Sequence, residues 1–383
     1  MLVTDADERS ALAACRGLAQ AGYRVTAAAG VAPAAGHWSR SSHRRLTVPD
    51  PRQDPRGFLN GLQTALEQEQ HSILLASTDL STWLISENRE RFEGLCRLAM
   101  PEREVVRASL DKGSLVAAAP SVGLAAPAST ICDSVDDAYA AADELGLPVI
   151  LKSARSFVAS SDGFVQKPVV LVTERNRLAT ALEDLEPPFL VQRYEQRTRV
   201  VSCSGLMTPG ALLGFAVVRW ERRWPVAEGA TSYCRTIAPP DGLARRVEEL
   251  LEGVGFSGIF ELELLERPDG ELMAIDFNPR LFGWLALPIA AGANFPAMYC
   301  DWLRGLSPAV AEARAGVYYR WEDADSAHFV WQLRKGRFKE AAAVLRPRRR
   351  VVHPFFQLRD PAPLVARVVL IGRKRKQRRR AAS

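Results

Sequence analysis

Apolar and polar positions follow two different periods along this chain. In the first hundred residues, short apolar runs alternate with stretches whose apolar residues recur every three or four positions. Leu2-Val3-Thr4 predicts a strand. Ala11, Leu12, Cys15, Leu18 and Ala19 predict the helix after it, capped by Asp5 or Asp7 and closed by Gly22. Tyr23 to Ala27 predicts a second strand, Phe58 to Leu66 a helix, and Ser72 to Ala76 a buried strand. This alternation predicts an open α/β sheet over residues 1–107.

The pattern changes after Arg107. Pro148 to Lys152, Val169 to Val172 and Phe189 to Gln192 are strand-like. Ser153 to Gly163 is rich in Ser and Ala without a period, which predicts a flexible loop. Thr208 to Ala238 reads as strands and loops. Residues 241–254 form an amphipathic helix through Leu243, Val247, Leu250, Leu251 and Val254. Residues 108–305 are assigned to a second domain, and residues 306–383 to a helical, basic extension with a disordered tail.

Composition narrows the class. Of 383 residues, 47% are hydrophobic and 25% charged, which is ordinary for packed domains and excludes collagen-like or wholly disordered chains. The formal charge of +6 hides an asymmetry. Residues 331–383 carry 17 Lys and Arg against two acids, a net +15, so the remainder carries −9. The six cysteines are scattered without a C-x-x-C, which reads as buried thiols in a reducing compartment. The acidic start is not a signal peptide, and no apolar run reaches the ~18 residues of a membrane span, so a cytoplasmic protein is expected. A dinucleotide site is disfavoured, because the first strand-to-helix turn, Thr4-Asp5-Ala6-Asp7-Glu8, has three acids and no glycine.

The chemistry concentrates between Gly258 and Arg280. Ile259–Glu266 and Glu271–Phe277 are strand-like, joined by Arg267-Pro268-Asp269-Gly270, whose Pro and Gly suit a type I turn. If Glu266 pairs with Glu271, Glu261 faces Asp276 and Glu263 faces Ala274. One face then carries Glu261, Glu263, Asp276, Asn278 and Arg280, and the other Phe260, Leu262, Leu264, Met273, Ile275 and Phe277. Such an oxygen-rich face is either the solvated side of a sheet or a ligand set for a hard cation such as Mg²⁺. Asn278-Pro279-Arg280 directly after the acid favours a metal with an anionic substrate. Lys152 at a strand end and Lys112 at a helix start are ordinary alone, although either ammonium can reach phosphate oxygens.

Taken in order, these elements resemble the ATP-grasp superfamily, in particular its carboxylate–amine ligases of the carbamoyl-phosphate-synthase-like type. The matching residues are Asp111-Lys112, Gly123 to Pro127, Pro148 to Lys152, Phe189 to Tyr194, and Glu263 with Asp276-x-Asn278-Pro279-Arg280, thirteen residues on from Glu263. The resemblance covers residues 1–305. It implies an α/β protein: an N-terminal open parallel sheet domain, then a two-subdomain grasp. It implies ATP and Mg²⁺, or Mn²⁺ in its place, as cofactors. It assigns Lys112 and Lys152 to ATP phosphates and Gln192, Arg193, Tyr194, Glu195 and Ile275 to the nucleotide. Glu263, Asp276 and Asn278 would hold the metal, and Arg280 with Lys152 would serve catalysis. The implied reaction activates a carboxylate as an acyl phosphate and transfers it to an amine, on amino-acid or peptide-like substrates, with the Ser153–Gly163 loop excluding water. The chain departs from the family in having Asp276 where Glu is usual, a single glycine in the loop, and Arg199 near the place of a ribose-facing acid.

Two features stay outside this reading. Arg219-Trp220-Glu221-Arg222-Arg223-Trp224-Pro225, followed by Glu228 to Ser232, is either an exposed basic hairpin or an acceptor site for an anionic substrate walled by Trp220 or Trp224. The apolar Pro363–Ile371 before seven basic residues in Arg373–Arg380 is a solvated tail, a segment lying on an anionic inner-membrane surface, or a nucleic-acid contact. The last is disfavoured because no aromatics interleave the charges. The alternative function is a nucleotide- or ligand-binding protein of weak activity, with the tail as a membrane adaptor. The five histidines show no ligand spacing.

Overall fold

The computed structural model describes residues 1–154, 157–160, 163–196, 199–226 and 229–381. Of the expected loop, residues 155, 156, 161 and 162 lie outside the described residues, as do Arg197 and Thr198, Ala227 and Glu228, and the last two residues.

Five short strands, β1 (Leu2–Val3), β2 (Thr26–Ala29), β3 (Arg44–Thr47), β4 (Ile73–Leu75) and β5 (Arg97–Leu98), form a parallel sheet in the order β3-β2-β1-β4-β5. Helices α1 (Arg9–Gln20), α2 (Ala35–Trp38), α3 (Pro55–Gln68) and α4 (Asp79–Glu87) connect them. Two local expectations change here. Neither Asp5 nor Asp7 caps α1, because Glu8 occupies that position without a side-chain cap. Asp5 instead turns inward at φ +55 and accepts hydrogen bonds from Thr4 Oγ1, Ser81 Oγ and the Ser77 amide. The second strand starts three residues late, because the Tyr23 amide still donates to Leu18 O at the end of α1.

Helices α5 (Arg103–Leu110) and α6 (Ser114–Ala118) lead to a four-stranded sheet. It contains β6 (Ser129–Cys132), β7 (Val149–Ser153), β10 (Val170–Val172) and β11 (Phe189–Arg193) in the order β10-β7-β11-β6. Helix α7 (Val135–Leu145) covers it with α8 (Leu178–Glu183). α7 begins where Ser134 Oγ accepts from the Asp137 amide, with Asp136 and Asp137 favourably placed in its positive first turn. Between β7 and β10 stands a separate hairpin, β8 (Phe157–Ser160) with β9 (Gly163–Gln166), where the loop expected over Ser153–Gly163 covers β8 and the first residue of β9.

The largest sheet runs β16-β15-β12-β13-β14-β18-β19, with β17 alongside β13. Its strands are β12 (Arg199–Thr208), β13 (Ala211–Trp224), β14 (Ala230–Ile237), β15 (Gly258–Glu266), β16 (Leu272–Asn278), β17 (Ala311–Glu312), β18 (Tyr318–Arg320) and β19 (Val351–Val352). Helix α9 (Leu243–Gly253) packs Leu243, Val247, Leu250 and Leu251 on one face of it. Helices α10 (Ala286–Ala291) and α11 (Phe295–Leu303) lie with α1 in a shared core that includes Phe282, Trp284, Phe295 and Tyr299.

The C-terminal region is not simply helical. Besides α12 (Glu322–Arg334), α13 (Phe338–Leu345) and α14 (Ala362–Ala381), it supplies β17, β18 and β19 to the large sheet. α14 occupies the expected disordered tail. Its Ala366 and Leu370 are buried, and Arg367 is bonded to Asp323 at 2.6 Å. Among the described residues no helix is long and apolar enough to cross a membrane. The cysteines are unpaired, and all but Cys96 are buried.

Candidate active site

The hairpin β15–β16 shows how two one-residue shifts combine. Gly270, at φ +87, adds an αL residue after the turn, so the Arg267 amide donates to Glu271 O and Glu266 pairs with Leu272. The expected pairing of Glu266 with Glu271 is therefore one residue out. A second irregularity at Ile275 shifts the pairing again, and beyond it Glu263 faces Asp276 and Glu261 faces Asn278. Each single shift flips the side chains to the opposite face. Two shifts restore the original face for Asp276 and Asn278, so the oxygen groups still share one side. Met273 and Ile275 feel only the first shift. They leave the packed face expected for them and join Leu265 and Val200 on the same side as the acids.

That side closes a cavity of about 510 Å³. The small sheet supplies the opposite wall: Lys152 and Ile150 from β7, Gln192 and Arg193 from β11, and then Tyr194 and Glu195. Lys112, before α6, completes it. The cavity thus gathers Lys112, Lys152, Gln192, Arg193, Tyr194, Glu195, Glu263, Ile275, Asp276, Asn278 and Arg280. Part of its lining is apolar, from Ile150, Val169, Leu171, Val200, Leu265 and Ile275. The amides of Arg193 and Tyr194 are engaged by Ala128 O at 2.8 Å and Pro148 O at 3.1 Å.

Charge crosses the cavity directly. Lys112 Nζ donates to Asp276 Oδ1 at 2.7 Å, and Lys152 Nζ to Ile275 O at 3.3 Å. Burial pushes the Lys152 ammonium down to about 8, partly offset by Asp276. Burial also works against the charge on Lys112, but Asp276, with Asp79 and Glu263, outweighs it and raises that ammonium. Glu261 is pushed up to about 7 by burial, against hydrogen bonding from Trp284 Nε1. Glu263 is driven well above the usual carboxylate range by burial and then by Glu261 and Asp276. Asn278 bridges the set, with Nδ2 donating to Glu261 Oε2 at 3.3 Å and Oδ1 accepting from Arg280 Nη2 at 3.0 Å.

The donor chemistry fits a hard divalent cation: two facing carboxylates and a neighbouring amide oxygen, with no thiol or imidazole among them. Among the described residues no group of three His, Cys, Asp or Glu side chains is placed to hold a metal by itself. An ion here would therefore draw further ligands from substrate oxygens and water, as Mg²⁺ does with phosphates.

Several cavity residues have no signal in the sequence. Asp79, at the start of α4, is bonded to Arg280 through both carboxylate oxygens. Arg9 enters from α1, with its guanidinium 3.6 Å over the Trp321 ring and Nε donating to Gly283 O at 2.9 Å. Lys167 lies beside β10. The partners of Asp79 and Arg9 are hundreds of positions away in the chain, so no local spacing marks them. In the Arg-Trp stretch, Trp220 and Arg223 line the cavity. Trp224 packs on His328 instead, and Arg222 is bonded to Asp325 at 2.7 Å. Arg199 pairs with Glu266 at 3.8 Å, outside the cavity lining.

The two sheets closing on one cleft, preceded by a parallel α/β sheet, define the ATP-grasp fold. It is the fold of solved carboxylate–amine ligases. N5-carboxyaminoimidazole synthetase from Staphylococcus aureus superposes with a TM-score of 0.62 over 83% of this chain and 80% of its own, at 14% identity. Biotin carboxylase from Campylobacter jejuni gives 0.65 over 83% and 74%, at 14% identity. N5-carboxyaminoimidazole ribonucleotide synthetase from Thermus thermophilus gives 0.61 over 83% and 81%, at 17% identity. No protein-family model matches the chain, and no curated protein matches it.

Proposed function

We propose that this chain is an ATP- and Mg²⁺-dependent ligase that activates a carboxylate as an acyl phosphate and joins it to an amine. The observation that carries the reading is the facing of Lys112 and Lys152 on one wall with Glu263, Asp276, Asn278 and Arg280 on the other, across one cleft. The fold adds support. A biotin carboxylase domain from Hydrogenobacter thermophilus that shares it was solved with MgADP and bicarbonate.

When bound, ATP supplies the γ-phosphoryl group and the cation neutralises charge between its oxygens. Glu263, Asp276 and the Asn278 amide oxygen would hold the cation. Lys152, buried near the end of β7, would meet phosphate oxygens, as would Lys112, whose ammonium is bonded to Asp276 here. The apolar lining at Ile150, Leu171 and Ile275 would receive the base beside Gln192 to Glu195. Arg280, oriented by Asp79 and Asn278, would hold the substrate carboxylate near the phosphoryl group. Arg9, Trp220 and Arg223 line the remaining space and suit an acceptor with an anionic part.

The test is ADP release by purified full-length protein given ATP, MgCl2 and a pool of amino acids. Release should require Mg²⁺ and fall at least ~10²-fold in Lys152→Ala and in Asn278→Ala. Turnover that survives both substitutions would refute the assignment. Nothing here supports the membrane-adaptor alternative: in the apolar segment Ala366 and Leu370 are buried, while Val365, Val368 and Val369 are exposed.

A further inference from the structure

Stretches distant in the chain meet at one guanidinium. Arg9 opens α1 and lines the cavity. Its Nε donates to Gly283 O at 2.9 Å, and its Cζ lies 3.6 Å over the Trp321 ring. The Gly283 carbonyl also accepts from the Tyr319 hydroxyl at 2.9 Å. Gly283 makes room for the arginine. A Cβ built there would fall 2.3 Å from Arg9 Nη2, and its three nearest atoms all belong to that guanidinium. Tyr319 and Trp321 both come from the C-terminal region. Tyr319 lies in β18, which pairs with β14, and the Trp321 amide donates to Ser232 O at 2.8 Å.

The cations of the cavity differ in what already engages them. Lys112 is bonded to Asp276, and Arg280 to Asp79 and Asn278. Among the described residues, no hydrogen bond or ion pair engages Nη1 or Nη2 of Arg9. A guanidinium stacked on a ring, with Nε already used, keeps its two-pronged end for a planar anion and matches a carboxylate bidentately. Stacking also fixes the side chain before any ligand arrives, which lowers the cost of binding. Gly283 stands three residues beyond Arg280, so no more than about 11 Å of backbone separates the two. A carboxylate on Arg9 would therefore sit on the Arg280 side of the cavity, near the reacting carboxylate and away from the apolar lining.

We infer that Arg9 anchors a carboxylate carried by the acceptor amine, with Gly283, Tyr319 and Trp321 as its positioning residues. The inference rests on the ligase reading and deepens it: the acceptor is an amine that bears its own carboxylate, as an amino acid does. The C-terminal region then completes the site through Tyr319 and Trp321.

Product analysis on the full chain tests this. The protein is given ATP, MgCl2, a pool of amino acids and an equal pool of their amides, and products are read by mass spectrometry. Products ending in a free carboxylate should exceed those ending in an amide at least ~10-fold. Comparable yields overturn the anchor. Arg9→Gln should raise the KM of the preferred acceptor at least ~10-fold, by more than it lowers kcat, and bring the two product classes close to parity. A fall in kcat alone overturns it. Gly283→Ala, at a residue whose backbone is outside the left-handed region, displaces Arg9 and should act in the same way. Combined with Arg9→Gln it should add nothing, and additive losses overturn the positioning role. Trp321→Leu should lose discrimination and Trp321→Phe keep it, and a Trp321→Leu protein that discriminates like wild type removes Trp321 from the set. Arg9→Gln and Gly283→Ala decide the anchor if Trp321→Leu does not fold. Modification of Arg9 by phenylglyoxal, mapped by mass spectrometry, needs no turnover. The amino-acid pool should slow it at least ~3-fold and the amide pool should not. Equal rates, or protection by inorganic phosphate and not by amino acids, overturn the carboxylate. Wild-type protein that releases no ADP with any mixture would sink the ligase reading, while protection of Arg9 would still decide the anchor.

Discussion

The two walls of the cavity carry opposite charge and are assembled in opposite ways. The acidic wall is one hairpin, in which Glu263 and Asp276 face each other across a short turn. The cationic wall draws Lys152 from β7 and Gln192 from β11, neighbours only because the small sheet orders its strands β10-β7-β11-β6, and Lys112 from a turn whose amide donates to Ala154 O. Local construction makes a wall legible but sensitive to register, since one residue flips a face. Long-range construction makes a wall robust to register but invisible to spacing. The ion pair from Lys112 to Asp276 joins the two.

That pair offers the largest effect. Asp276→Ala leaves Lys112 largely buried without its main counter-charge and should destabilise the protein by about 2 kcal/mol, below the ~3–5 of a fully buried pair. Urea denaturation measures it. Lys112→Met combined with Asp276→Leu should recover most of the loss, and failure to recover would mean that the walls are not coupled through this contact. A smaller effect belongs to the register. Gly270→Ala should cost roughly 1 kcal/mol, and Gly270→Asn less, because Asn tolerates the left-handed backbone. Equal costs would show that the turn does not set the pairing.

The smallest effect lies away from both walls and serves as a contrast. Glu322 accepts from the amides of Phe355 and Phe356, and burial pushes its carboxyl up to about 7. A raised carboxyl contributes stability that is complete below its unfolded value and lost as pH rises through 7. Melting wild type and Glu322→Gln at about pH 5 and about pH 8 should show wild type losing stability relative to the variant at the higher pH. Parallel curves would remove Glu322 as the cause. Neither cavity wall should respond to this substitution.

How much was legible differs by element. The parallel α/β order, α9 and the acid hairpin follow from period and turn residues. The hairpin's side was predicted correctly for Asp276 and Asn278 through two errors that cancel, and incorrectly for Met273 and Ile275, where only one applies. β8 and β9 were missed because Phe157 and Phe164 are stabilised by Trp83, a residue of another domain. β18 and β19 were missed because two- or three-residue strands owe their pairing to a neighbour, β14 for β18 and β18 for β19, and not to any period of their own.

By itself, the sequence determined which segments could become strands and helices, where the oxygen ligands cluster, and that positive charge accumulates at the C-terminal end. These properties depend on side-chain alternation, turn chemistry and composition, all of which act over a few residues. Only the tertiary structure decided that Asp79 would hold Arg280, that Lys112 would meet Asp276, and that the hairpin after Lys152 would rest on Trp83 and Arg52. Those pairings join residues distant in the chain, and the packing of whole sheets against one another, with no local preference to signal it, brings them together.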